Sequence, residues 1–424
     1  MRRGISATAL VAAIALAATA CGGDDGGDKG GKSASGELTG EVVFWDTSND
    51  AEKATYKELA EGFEKLHPKV DVKVVTVPFG EANAKFKNAA VEGSGAPDVM
   101  RTEVAWVADF ANLGYLAPLD GTAAIDKADD YLEQAAASTK FGDKTYAVPQ
   151  TIDTLALFYN KKMLKDAGVE VPTSFEEVGS ASAKIKEKSG KTGFYLRGDD
   201  PYFYLPYLYG EGGDLLDTEK KEITVDGEAG AQAFAVMKDL VDSGAATTDA
   251  SDGYNNQLNA LKNGDVAMAI DGPWSIEGVL AGKEFEDKAN LGVAPVPAGS
   301  ERAASPQGGW NLSVYAGSGN LDASYEFVKY MSSAKVQQQT TEKLSLLPTR
   351  KSVYDVDSVK NNQMVQFFKP AVDKSVQRPW IPEANALFEP IRLQMQKVLS
   401  GDASPKDGAN GIGKAYEKLL KDYK

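Results

Sequence analysis

The chain predicts an α/β fold in two lobes, and three observations carry that expectation. Near its start a short apolar strand, an amphipathic helix and a second strand follow one another, the unit that folds as a parallel pair joined by a right-handed crossover. Its 424 residues, 42% of them hydrophobic, are enough for roughly two domain-sized cores. From Ser324 onward helical spacing dominates, as in YEFVKYM, ANALFEPIRLQMQKVL and GKAYEKLLKDY.

The first element is of another kind. Arg2 and Arg3 precede an apolar run from Ala7 to Ala18, and small residues then lead to Cys21, so residues 1–20 read as an export signal too short to span a membrane. Cys21 is the sole cysteine, which excludes an internal disulfide or a multi-cysteine metal site. Its setting resembles the lipobox of bacterial lipoproteins, with Ala18 where that pattern usually has leucine, and implies lipidation at Cys21. Residues 21–40 have almost nothing to bury and read as a flexible tether. Within it GGDKGGKS matches the letters of a phosphate-binding loop but lacks the strand and helix that such a loop needs.

Glu41 to Trp45 is the first strand, and AEKATYKELAEGFEKL is the helix, with Tyr56, Leu59, Phe63 and Leu66 at helical spacing. His67-Pro68 stops it, so the only histidine reads as a helix-end residue. VDVKVVTV from Val70 is the second strand, and Ala147 to Tyr159 is one extended apolar segment. Pro172-Thr173-Ser174 opens a helix with Glu177 placed to complete a capping box. NGDVAMAI from Asn263 is a turn and strand, ended sharply by DGPW.

A formal net charge of −15 makes phosphate backbones and anionic membrane surfaces poor partners and predicts no nucleic acid binding. Against that background DDPYFYLPYLYG from Asp199 stands out, since two carboxylates run into a row of aromatic rings. It reads either as a core segment with an acidic cap or as the wall of a site whose ligand has apolar faces and a polar rim.

Several segments in order resemble the bacterial extracellular solute-binding family that feeds sugars to ABC importers, and most closely its maltose/maltodextrin-binding branch. They are GAPDV from Gly95, AVPQTIDTLALFYNKKML from Ala147, VPTSFEEV from Val171, DPYFYLPYLYGEGGD from Asp200, KNGDVAMAIDGPW from Lys262 and NALFEPIRLQM from Asn385. The resemblance implies a periplasmic-binding-protein-like fold with a cleft between the lobes and crossing hinge segments. It places 41–152 plus about 297–338 in an N-terminal lobe and 153–296 plus about 339–424 in a C-terminal lobe.

Pyranose rings offer CH-rich faces edged by hydroxyls, so their sites need flat aromatic platforms with acceptors and forked donors in the ring plane. By the resemblance, Asp153, Asp200, Tyr202, Trp274, Phe388 and Arg392 match sugar-contacting positions, with Phe388 standing where the family has a tryptophan. Glu103 and Trp106 are added on their chemistry. Asp46 follows the first strand at the carboxyl end where open α/β sheets bind ligands, and Trp310 follows two glycines that permit close approach. Tyr204, Tyr207 and Tyr209 are assigned to packing.

The resulting expectation is a monomeric, lipid-anchored receptor on the outer face of the cytoplasmic membrane, without metal or organic cofactor and without enzymatic activity. It takes up maltose or maltodextrins for the membrane subunits of an ABC permease. Competing expectations are another sugar such as trehalose or cellobiose, a polyamine held by acids and rings, and a secreted glycoside hydrolase with two carboxyls flanking one bond.

Overall fold

The computed structural model describes residues 37–424, so the expected signal, Cys21 and most of the tether lie outside the described residues. Strand β1 (Gly40–Asp46) buries Val42 and Phe44 completely. Helix α1 (Lys53–Leu66) buries Tyr56, Leu59 and Phe63, but Leu66, expected on the same face, is 64% exposed because the helix is ending there. His67 caps that end: its backbone N–H returns to the Phe63 and Glu64 carbonyls, and its ring lies 4.6 Å from that of Phe63. Strand β2 (Val70–Thr76) then runs parallel to β1, from Gly40 opposite Val70 to Asp46 opposite Thr76. Helix α2 (Phe79–Glu92) leads to β3 (Val99–Glu103), parallel to β1 on its other side.

The apolar run Ala147–Tyr159, read from sequence as one extended segment, is divided between two sheets. Strand β4 (Ala147–Asp153) belongs with β1–β3, whereas β5 (Ala156–Asn160) begins a second sheet after Thr154 and Leu155. That second sheet is completed by β6 (Thr192–Arg197), β7 (Ala246–Asp249), β8 (Val266–Asp271) and β9 (Leu291–Ala294), in the order β7-β6-β8-β5-β9. The chain then returns as β10 (Gly308–Val314), antiparallel between β3 and β4, and β11 (Leu347–Pro348) closes the first sheet as β11-β4-β10-β3-β1-β2. Sheet pairing therefore keeps the chain with the first sheet through Pro348, later than the break near 338 expected from sequence.

The crossings between the sheets are tied to one another. Thr154 Oγ1 donates to the Pro306 carbonyl at 2.8 Å, and the Leu155 N–H donates to Ser305 Oγ at 2.9 Å. Val376 joins the same bundle, its N–H to Ser305 O at 2.8 Å and its carbonyl accepting from Gln307 N at 2.7 Å. One apolar core lies around the second sheet, built on Phe194, Tyr204, Phe234, Met395 and Tyr416. Two lie against the first sheet, around Phe44, Phe63 and Phe327 and around Phe86, Trp106 and Phe110. A fourth joins the sheets, packing Ile152 and Leu347 of the first with Phe158 and Ala269 of the second, and burial at about 25 cal/mol per Å² of apolar surface is what holds them. No described helix is long and apolar enough to cross a membrane.

Ser174 N-caps the helix Phe175–Ser189 by accepting from Glu177 N at 3.2 Å. The Glu177 carboxylate reaches back to Thr173 N and Oγ1, both at 2.7 Å, one residue earlier than the expected capping box.

Candidate functional site

The carboxyl ends of β1, β2, β3 and β4 meet the other sheet where the crossings run, and the side chains that gather there come from both. Arg378, in the loop before the helix Phe388–Ser400, is 5% exposed and sits at their centre. Its guanidinium lies 5.3 Å from the Tyr202 ring, 5.4 Å from Trp380 and 5.6 Å from Phe388. It pairs with the Glu103 carboxylate and donates through Nε to the Gln307 carbonyl at 3.0 Å. Tyr202 in turn lies 6.5 Å from Trp274 at 52°, so the three rings expected to face a ligand gather in one cluster about Arg378. Close backbone makes this possible: a Cβ on Gly308 would collide with Asp153 Oδ1 and with the Tyr202 hydroxyl, and one on Gly272 with the Trp274 ring.

Asp153 ends β4 and is 7% exposed, yet its carboxylate accepts no hydrogen bond among the described residues. Burial pushes its pKa up to about 7; nearby Arg378 counteracts this and Glu103 adds to it. A carboxylate kept unpartnered beside a flat ring is an acceptor reserved for something that brings its own donor. Trp380 Nε1 and Gln307 Oε1 are also buried without a partner among the described residues.

A second cluster lies on the first sheet. The Arg101 guanidinium is sandwiched between Trp310 at 4.1 Å and Tyr56 at 4.9 Å, and its Nε donates to Gln150 at 3.0 Å. Glu52 is its ion-pair partner at 3.4 Å. Burial raises the Glu52 pKa, with Arg101 opposing it and Asp46 adding to it. Trp106 is 3% exposed, stacked under Phe79 at 5.4 Å and 12°, with Trp310 edge-on at 6.3 Å. Its Nε1 donates across to Asn385 at 3.0 Å, and Asn49 reaches the Trp274 carbonyl at 3.1 Å, so both lobes are bridged by hydrogen bonds beside the rings.

The expected site residues therefore divide. Glu103, Asp153, Tyr202, Trp274 and Phe388 are brought together around Arg378, and Trp106 and Trp310 stand on the facing sheet. Asp46 is fully buried and spends its carboxylate on its own turn, accepting from Ser48 N at 3.0 Å and Ser48 Oγ at 2.6 Å. Asp200 caps the next turn, accepting from Tyr202 N at 2.9 Å with Arg197 3.6 Å away, so the acidic-cap reading of DDPYFYLPYLYG holds for Asp200. Asp199 pairs with Arg197 at 2.7 Å and accepts from Gly253 N at 2.9 Å. Tyr204, Tyr207 and Tyr209 are core residues, Tyr207 stacked on Phe175 at 4.2 Å.

Arg392 is a correction. It lies one turn beyond Phe388, but Glu389, three residues back on the same helix, takes its guanidinium in two hydrogen bonds of 2.8 and 2.6 Å. The arginine among the rings is Arg378, which sequence reading missed together with Trp380 and Phe79. The triplet Arg378-Pro379-Trp380 was a signal for the first two, since a forked donor beside a ring in an irregular segment fits a sugar as well as the chosen motifs do.

Two α/β lobes that meet over a shared cluster of rings, acids and an arginine have the build of a cleft-type binding protein. The chain belongs to the bacterial extracellular solute-binding protein family, whose model matches residues 47–338. It is similar to the GacH receptor of Streptomyces glaucescens, crystallised unliganded and in complex with acarbose and an acarbose homolog. That likeness has 73% identity and a TM-score of 0.91, covering 92% of this chain and 100% of that one. The maltotriose-binding protein of Pyrococcus abyssi is 26% identical over 90% of this chain and 82% of that protein. A maltooligosaccharide ABC transporter solute-binding lipoprotein of Streptococcus pneumoniae is 25% identical over 87% of this chain and 86% of that protein.

Proposed function

We propose that the chain is the sugar-binding receptor of an ABC importer, taking maltodextrin-type oligosaccharides into the crevice around Arg378 and presenting them to the permease. The observation that carries this reading is the convergence of Tyr202, Trp274 and Phe388 from separate segments on one cluster about Arg378, beside the unpartnered Asp153. Flat rings receive the CH faces of glucose units while Asp153 and Arg378 take hydroxyls in the ring plane. In this reading the lobes divide at Asp153–Leu155, at Ser305–Gln307 and beyond Pro348, and close about those segments. Cys21 carries the lipid that holds the receptor at the outer face of the membrane. Binding rather than turnover agrees with relatives that are named as binding proteins.

The identity to the GacH receptor favours a second ligand, acarbose, for the same crevice. Calorimetric titration with maltose, maltotriose, longer maltodextrins, acarbose, trehalose, cellobiose and spermidine tests both. Tightest binding among the maltodextrins supports the proposal, and acarbose binding well ahead of every maltodextrin transfers the assignment to it. Preference for trehalose, cellobiose or spermidine, or release of glucose from maltotriose, overturns it.

A further inference from the structure

Trp106 was expected to offer its face to a ligand, but Phe79 already covers it. The two rings are nearly parallel, 12° apart with centroids at 5.4 Å, and Trp310 meets the edge of Phe79 at 5.6 Å. Trp106 is thereby left 3% exposed, whereas Phe79 is 51% exposed. A singly exposed apolar residue is ordinary, but here one whole face of the ring is held by a buried tryptophan behind it, which leaves the other a fixed flat surface.

Its place in the fold ties it to the cleft. Phe79 opens α2 directly after β2, and Val77 N donates to the Asp46 carbonyl at 2.9 Å, so the segment runs along the same sheet edge as Asp46 and Glu103. Ligands of open α/β sheets lie outside the carboxyl ends of the strands. Trp106 beneath it reaches the opposite lobe through Asn385 at 3.0 Å, which puts the stack at the boundary between lobes. The next residue is Gly80, where an added Cβ would meet nothing within 4 Å, so the space beside the ring is open.

We propose that Phe79 is the platform for an outer sugar ring at the mouth of the cleft, backed by Trp106, and that it makes the receptor favour chains long enough to reach it. The inference rests on the oligosaccharide reading above and adds a separate position to it. Rings seated near Arg378 meet Tyr202, Trp274 and Phe388; a further ring would lie flat on the outer face of Phe79. Glu81, two residues on, is paired with Lys85 at 2.6 Å, so an acceptor and a donor stand together on the same helix start.

The test is calorimetry on the full-length protein and on Phe79→Ala, Phe79→Leu and Phe79→Trp, with maltose, maltotriose, maltotetraose and maltohexaose. Phe79→Ala and Phe79→Leu are expected to weaken maltohexaose about tenfold while leaving maltose within about twofold, and Phe79→Trp to retain or improve the long chain. Leucine keeps the bulk over Trp106 without a flat face, which separates stacking from simple cover. Equal losses at every length, no loss at any length, or a gain for maltose on removing the ring would each overturn the proposal, the last by showing Phe79 to be a plug over Trp106. If the unaltered protein binds no member of the series, the oligosaccharide reading fails and the platform falls with it; if it binds them and Phe79→Ala changes nothing, only the platform falls.

Discussion

If Asp153 takes a sugar hydroxyl as proposed, ligand binding is expected to depend on pH in a range where an ordinary aspartate would not make it do so. Its carboxylate is raised to about 7, first by burial, with Arg378 and Arg101 opposing and Glu103 and Glu52 reinforcing. A sugar hydroxyl that donates to it needs the ionised form, so binding drives off the proton held by the neutral fraction. With a pKa near 7, the ionised fraction is about one-tenth at pH 6 and about nine-tenths at pH 8, which is roughly a tenfold gain in apparent affinity, or about 1.4 kcal/mol. Titration calorimetry at pH 6, 7 and 8, repeated in two buffers of different ionisation enthalpy, measures both the affinity and the protons released. Asp153→Asn should bind more weakly at pH 8 and show no slope. The sign for stability runs the other way, because an acid whose pKa is raised by folding opposes folding once ionised. Its favourable contribution is present at low pH and lost as pH rises through 7, by at most about 4 kcal/mol. The melting temperature of Asp153→Asn relative to the parent should therefore rise from pH 5 to pH 8 without ligand. Flat affinity between pH 6 and 8, or the same slope in the variant, refutes the role given to Asp153.

Arg378→Met leaves the half-buried Glu103 with only the Ala105 N–H as donor; it should abolish sugar binding in calorimetry and cost about 3 kcal/mol or less in urea unfolding, part of which Glu103→Gln restores in the double variant. Arg392→Ala, by contrast, removes a half-exposed pair with Glu389 and a 3.3 Å hydrogen bond to Gln396, so affinity should hold and stability change by no more than about 1 kcal/mol. A collapse of binding in that variant would return the site arginine to position 392. Ser174→Ala removes the acceptor for Glu177 N and should lower the urea midpoint by about 1 kcal/mol of stability while leaving ligand affinity unchanged.

Much of the fold was legible because its signals are local. The β1–α1–β2 unit followed from apolar spacing and the His67-Pro68 stop, and the late helices from their own periodicity, since a 3.6-residue repeat acts within one segment. The tertiary structure alone decided what required distant segments. Thr154 and Leu155 carry no local sign that a continuous apolar run should leave one sheet for another; Ser305 and Pro306, some 150 positions away, hold the crossing in place. The same is true of the two arginines. Arg392 and Arg378 are equally plausible donors on paper, but Glu389 lies within reach of the first, and only folding sets the second among Tyr202, Trp380 and Phe388. Charge partners and ring faces are chosen by proximity in space, and proximity between residues far apart in the chain is set by how the two sheets and their cores pack, not by any one stretch of chain.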